Sequence, residues 1–272
     1  MRLENIKSLV ELAYENVPLY RRLYGEKPEL ENMEDFSKLP CLTRSDFVLC
    51  EMEDVLSNVD EAEVILPPMK NQKLFPYPRL ESAWDRDYRY EVFYFLLSQV
   101  GIADDATFLI ITDTSHSYYC GEMVANLLYF GHPTWMIFLR DHSDDEIQRW
   151  IDKFEPDCIL LGLDHIPDSA VDWGVPSIFT INQYYRDMSS GDDLFHFDIY
   201  AVTEIGWIGI RLPGGCYMYP AESFYIEANP QDNILTITSL RNTLQPFIRY
   251  RTPDRGAILG DGKFQIAYIG EH

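Results

Sequence analysis

The sequence predicts an α/β protein, with a parallel-cored sheet flanked by helices and an antiparallel β-rich C-terminal region. Two observations carry this. Between residues 107 and 201, apolar strand-length runs alternate with helix-length segments, and near-continuous apolar strands separated by helices describe a parallel sheet covered on both faces. After residue 207 the helical patterns stop, and short strand-like runs separated by Gly, Pro, Asn and Asp take over. The expected divisions are an N-terminal helical segment over 1–60, a parallel-sheet core over 61–206 and an antiparallel, barrel-like region over 207–272 packed beside that core.

The elements follow in order. Ile6, Leu9, Val10 and Ala13 have the spacing of a helix buried on one face, and Pro18 marks its end. Turn-rich pieces follow to about residue 60, where Thr43 in "LTRSDF" is placed to cap a short helix. "EAEVILPPMKNQKLFPYPRL" (61–80) carries four prolines and three basic residues and predicts an extended loop. Trp84, Tyr88, Val92, Phe95, Leu96 and Val100 recur at helical spacing, with Gly101 as the stop. "TFLIIT" (107–112), "TWMIFL" (134–139), "DCILLG" (157–162), "PSIFTI" (176–181) and "FHFDIYA" (195–201) are the strands of the core. Helices fall between them at "CGEMVANLLYFG" (120–131), closed by Gly131, and "SDDEIQRWIDKF" (143–154), opened by a Ser143…Glu146 capping box. Beyond 207 the strand-like runs are "GWIGIRL", "SFYIEA", "NILTITSL", "FIRYR" and "FQIAYIG".

Charge and composition exclude several functions. A net charge of −22 over 272 residues argues against a nucleic-acid partner, because duplex binding needs clustered Lys and Arg to displace counterions. No apolar run approaches the roughly 20 residues of a membrane span, and the N-terminus is amphipathic rather than a signal peptide, so a cytoplasmic protein is expected. The five cysteines (Cys41, Cys50, Cys120, Cys158, Cys216) form no CxxC pair and are expected as buried free thiols. The six histidines have no zinc-site spacing, and Ser115-His116 lacks the GxSxG elbow of a hydrolase.

"DIYAVTEIGW" (198–207) places a hydroxyl and a carboxylate, Thr203 and Glu204, after an apolar strand, at the sheet edge where open α/β proteins bind ligands. Thr203 can donate to an anionic oxygen and Glu204 can bind a hard cation, or the pair simply finishes a solvated turn. Further segments resemble one family in the same order: "LVELAYENVPLYRRLYG" and "EDFSKLPCLTRSDF", then "IYAVTEIG", then "GCYMYPAESFYIEANPQDNILTITSL…QPFIRYRTPDRGAIL". They are similar to the adenylate-forming enzymes of the phenylacetate-CoA ligase and coenzyme F390 synthetase type, over nearly the whole chain.

In that family a carboxylate attacks the α-phosphate of ATP, giving an acyl-adenylate and pyrophosphate, and the acyl group then passes to a thiol or amine. The resemblance implies that Tyr200 flanks the adenine, Thr203 touches the α-phosphate, Glu204 helps to hold Mg²⁺ and Asp254 in "RTPD" accepts from the ribose hydroxyls. ATP or AMP, Mg²⁺ and a small carboxylic acid are the ligands it implies.

Three departures bear on that assignment. Where the family has a Ser/Thr/Gly-rich phosphate loop, this chain has "PPMKNQKLFPYPRL", with no glycine to bring backbone N–H groups close to an anion. Lys70 and Lys73 are its substitute point charges, or a solvated basic loop. Ala201 replaces a glycine beside the adenine, and "IAYIGEH" ends where the family's hinge leads to a lid with a catalytic lysine. Two functions are therefore expected in competition: a minimal enzyme activating a small carboxylic acid, slowly or with a lid in trans, and a degenerate nucleotide- or carboxylate-binding partner module. A homo-oligomer or protein partner is expected at the open cleft.

Overall fold

The computed structural model describes residues 2–48, 50–64, 69–70, 73–74, 79–113, 117–139, 143–163, 166–183, 194–213 and 215–270. Five helices lead: α1 (Arg2–Asn16), α2 (Pro18–Tyr24), α3 (Met33–Lys38), α4 (Arg44–Val48) and α5 (Met52–Val55). Ile6, Leu9, Val10 and Ala13 of α1 are buried, as the periodicity requires. Pro18 opens α2 instead of merely ending α1, a position where its missing N–H is no loss. Thr43 precedes α4, but its hydroxyl and its N–H both donate to the Asp46 carboxylate, at 2.6 and 2.7 Å.

The expected extended loop over 61–80 falls partly on residues outside the described ones (65–68, 71–72 and 75–78), and its described residues include two short strand pairs. β1 (Glu63–Val64) pairs with β4 (Leu80–Glu81), and β2 (Met69–Lys70) pairs with β3 (Lys73–Leu74), both antiparallel. The side chains of Lys70 and Lys73 lie outside the described residues.

Next come α6 (Ala83–Ser98), β5 (Phe108–Thr112), α7 (Ser117–Tyr129), β6 (Thr134–Phe138), α8 (Asp144–Phe154), β7 (Cys158–Gly162), β8 (Ser177–Ile181) and β9 (Phe195–Val202). All the strand and helix expectations of this region are met. Two details differ. Trp84 stands largely exposed while Tyr88, Val92, Phe93 and Leu96 form the inward face of α6. Ser143 makes no side-chain cap; only its carbonyl accepts, from Glu146 and Ile147 N–H. Three acidic residues in the first turn of α8 supply charge favourable to the helix dipole there instead.

The tail forms β10 (Gly206–Arg211), β11 (Tyr217–Met218), β12 (Phe224–Ala228), β13 (Ile234–Ser239), β14 (Tyr250–Gly260) and β15 (Lys263–Tyr268). "FIRYR" mostly precedes its strand, since Arg249 sits at φ 50° and the extended backbone begins at Tyr250.

These strands do not pack beside the parallel sheet; they continue it. One sheet of eleven strands runs β12-β13-β14-β15-β11-β10-β9-β8-β7-β5-β6. β9 is the seam, parallel to β8 on one edge and antiparallel to β10 on the other. The reversal happens over Thr203–Ile205 and needs Gly206 at φ 100°, a conformation that costs a side-chain-bearing residue dearly. The barrel-like character survives as curl. Four inter-strand steps separate β9 from β14, about 19 Å in a flat sheet, yet Tyr200 of β9 touches Asp254 of β14.

Alternate strand residues feed two cores. Phe108, Ile110, Leu160 and Phe179 join Cys120, Met123 and Leu127 of α7, while Leu109, Ile111, Ile159 and Leu161 join Ile147 and Ile151 of α8. The front helices are tied to the tail by backbone. Leu42 N donates to Arg249 O (3.1 Å) and the Leu42 carbonyl accepts from Arg251 N (2.8 Å); the Tyr20 hydroxyl donates to Pro246 O (2.7 Å) and accepts from Ile248 N (2.9 Å). Among the described residues, no helix is long and apolar enough to cross a membrane.

Candidate functional site

The site is built on the β9–β10 hairpin, whose tip lies at the carboxyl end of the parallel strands. Apolar β9 is buried along nearly its whole length, so its last residues and the turn are held rigidly. Thr203, half-buried, is hydrogen-bonded through Oγ1 to the Tyr119 hydroxyl at 2.7 Å. Glu204 is only 3% exposed, and among the described residues its Oε2 finds no hydrogen-bond partner. Oε1 lies 4.0 Å from Arg44 Nε, and the Tyr250 phenol rests against the same carboxylate. Burial first, and then the Glu204 charge, drive the Tyr250 hydroxyl well above its ordinary titration range.

Tyr200 and Asp254 form the other part. Both are fully buried; the phenol donates to Asp254 Oδ2 at 2.5 Å, and Gly270 N donates to Oδ1 at 3.0 Å. The Tyr200 ring is fixed edge-on by Tyr217 and Phe264, with centroids 6.0 and 5.4 Å away. Its titration is pushed far up by burial and by the neighbouring Asp254 charge. Tyr200, bonded to Asp254, lies four residues before Glu204 on the β9 hairpin, and Tyr250, against Glu204, lies four before Asp254 on β14, so the two carboxylates belong to one neighbourhood. The four residues singled out from sequence are thus brought together, but in two states: Thr203 and Glu204 at a turn, Tyr200 and Asp254 closed on each other in the interior.

Sequence reasoning missed the polar groups around them. Arg79, 4% exposed, donates to Glu122 Oε1 (2.8 Å) and lies 3.2 Å from Glu81 Oε1, while Arg89 holds Glu81 (3.1 Å) and Asn126 (2.8 Å). This neutral cluster of two arginines and two glutamates abuts the turn, since a Cβ on Gly206 would stand 2.8 Å from Arg79 Nη1. A second buried row lies along β9: Thr180 Oγ1 donates to Asp198 Oδ1 (2.6 Å) and meets His196 Nε2 (2.9 Å), and the Tyr217 hydroxyl donates to Asp198 Oδ2. Burial pushes the Asp198 carboxyl up to about 6 against the lowering effect of these donors. Spacing gave no signal for either group, because each is completed by a residue from another element, Glu122 in the first and Thr180 and Tyr217 in the second. Ser115 and His116 lie outside the described residues. Cys50, Cys120 and Cys158 are buried thiols, whereas Cys41 and Cys216 are half-buried.

No family model matches this sequence, and no curated protein matches it. Solved structures do. 2-Hydroxyisobutyryl-CoA ligase, in an open conformation with 2-HIB-AMP and CoA, superposes with a TM-score of 0.75 at 14% identity, over 97% of this chain and 72% of that one. The same ligase in its thioesterification state gives 0.75 at 14%, over 99% and 67%. An artificially fused adenylation–PCP di-domain of a nonribosomal peptide synthetase from Klebsiella oxytoca gives 0.53 at 12%, over 79% and 47%. The chain has the fold of acyl-CoA ligases and adenylation domains. Across four structures of the hydroxyisobutyryl ligase, it spans 65 to 72% of their length.

Proposed function

We propose that this chain is an adenylate-forming protein that binds an adenine nucleotide and activates a small carboxylic acid, with the phosphate and metal end of its site at Thr203 and Glu204. The observation that carries this reading is the Glu204 carboxylate: buried, placed past the end of a sheet strand on an acyl-CoA ligase fold, held by Tyr250, and with Oε2 finding no hydrogen-bond partner among the described residues. A buried carboxylate oxygen left unsatisfied is costly and argues for a ligand. Mg²⁺ fits it, because that ion commonly takes one or two protein carboxylates and fills its remaining positions with water and substrate phosphate. When bound, the ion supplies positive charge to the phosphates. The chain's own part is to orient: Tyr119 fixes the Thr203 hydroxyl, and Arg44 and Tyr250 fix Glu204.

The nucleoside end fits less well. Asp254 already accepts from Tyr200 and Gly270, so a ribose must share or displace those donors. That closure favours a second function, a catalytically degenerate relative serving as a nucleotide- or carboxylate-binding module in a cytoplasmic assembly. Titration calorimetry of wild type, Asp254→Ala and Glu204→Ala with ATP and AMP, with and without Mg²⁺, separates the two. Adenylation chemistry requires ATP-dependent pyrophosphate exchange that is lost in Glu204→Ala. Binding of AMP without exchange is the module, and no binding of any adenine nucleotide removes both nucleotide roles.

A further inference from the structure

The far edge of the sheet carries an independent observation. Among the described residues β6 pairs only with β5, in unbroken register from Phe108↔Thr134 to Thr112↔Phe138, so its other side is a free row of backbone donors and acceptors. Exposed strand edges are normally blunted by charge, proline or a bulge. The opposite edge strand, β12, carries Glu227. β6, "TWMIF", carries no charge within its span, and its one proline, Pro133, stands just before it.

On the α7 side its surroundings are apolar, whereas on the α8 side Lys153 stands over the Phe154 ring. Phe138 is 53% exposed, and Leu128 and Tyr129, at the end of α7, are 54% and 63% exposed. On the other face Trp135 stacks on Phe154 of α8 at 4.8 Å. Residues 117–138 contain no Lys, Arg or Asp and a single Glu, the inward-facing Glu122, in a chain of net charge −22. Large exposed apolar side chains beside an unpaired strand are the kind of surface that marks an interaction site.

The charge pattern selects the occupant. A basic partner would be drawn to the acidic remainder of the molecule, not to the strip without charge. A second copy of the chain repels everywhere except where charge is missing, and by symmetry it presents the same uncharged strip and the same free edge. We infer that β6 pairs antiparallel with β6 of a second copy across a two-fold axis, Met136 facing Met136 and Thr134 facing Phe138, joining two eleven-stranded sheets into one.

Sedimentation velocity of the full chain over a concentration series tests this. The expected result is a monomer–dimer equilibrium that tightens as sodium chloride rises from about 0.05 to about 0.5 M, because salt screens the mutual repulsion of two acidic molecules. Phe138→Lys and Leu128→Lys, both at side chains more than half exposed, should each raise the dissociation constant at least about tenfold with unchanged circular dichroism and melting. Thr134→Cys/Phe138→Cys should give an oxidant-dependent covalent dimer that the wild type does not. A wild type that stays monomeric throughout the series overturns the inference. So does a dimer indifferent to both lysines, a dimer that dissociates on adding salt, or an assembly sensitive to Phe138→Lys that forms only with a different protein.

Discussion

The Tyr200 hydroxyl stands 2.5 Å from Asp254 Oδ2, although three strands separate their own strands in the sheet. That bond closes the curl of the antiparallel half and satisfies a carboxylate buried completely. Tyr200→Phe should therefore destabilise the fold by about 2–3 kcal/mol, by leaving a buried charged acceptor short of a donor. Asp254→Asn, which still accepts from Gly270, should cost only about 1 kcal/mol. Urea unfolding of the two variants checks the order, and equal losses would show that the hydroxyl is not the main partner.

Glu204 behaves oppositely if it is kept for a ligand. Glu204→Gln removes a buried charge whose partner Arg44 is 4.0 Å away, and should raise the stability of the unliganded protein by about 1 kcal/mol. On the proposed function, Mg²⁺ with ATP should raise the melting temperature of the wild type and leave that of this variant unchanged. A variant that is less stable and still responds to Mg²⁺ would remove Glu204 from the metal role.

Gly206 is fixed by two constraints at once, φ of 100° and the Arg79 guanidinium 2.8 Å from where a Cβ would stand. Arg79 cannot swing away cheaply, because Glu81 and Glu122 hold it in the interior. Gly206→Ala is expected to cost about 2 kcal/mol or more in thermal or denaturant unfolding, and to disturb nucleotide binding through the neighbouring Thr203 and Glu204. An alanine variant as stable as wild type would mean that the turn relaxes freely.

Asp198 gives a pH signature. Its carboxyl holds its proton to about pH 6 in the folded chain, against about 3.9 when unfolded. Between these values the folded chain binds more protons than the unfolded one, so stability from this group falls as pH rises through the window, by on the order of 1–3 kcal/mol. Asp198→Asn can keep bonds from Thr180 and Gln183 but cannot ionise. The wild-type minus variant difference in unfolding free energy should decline from about pH 4 to about pH 7 and then level. A flat difference would show that Asp198 is ionised throughout.

The alternation of apolar strands and amphipathic helices made the parallel half legible, because period is a local property and local properties survive in the sequence. Continuity of the sheet through β9 and β10 was not legible, since strand pairing depends on register and curl, which no single segment encodes. Thr203 and Glu204 were found because a polar pair interrupting an apolar run is conspicuous. Arg79, Glu81, Arg89 and Glu122 escaped notice because a buried ion cluster looks like ordinary surface charge until its members meet. Tyr250 lay inside a quoted motif, yet its role depends on Glu204, 46 residues earlier.

The bonds that Tyr20 and Leu42 make with residues 246–251 also set a timetable. During synthesis the front helices leave the ribosome long before the segment that receives them exists. Ile6, Leu9, Tyr20, Phe36 and Phe47, all buried at the end, must wait unpacked while some two hundred residues are added. Closure of the front against the tail is therefore a late event. Until then the nascent chain carries a sticky amphipathic segment in its front helices, where a holding chaperone would find its best purchase and where crowded neighbouring nascent chains would most readily tangle.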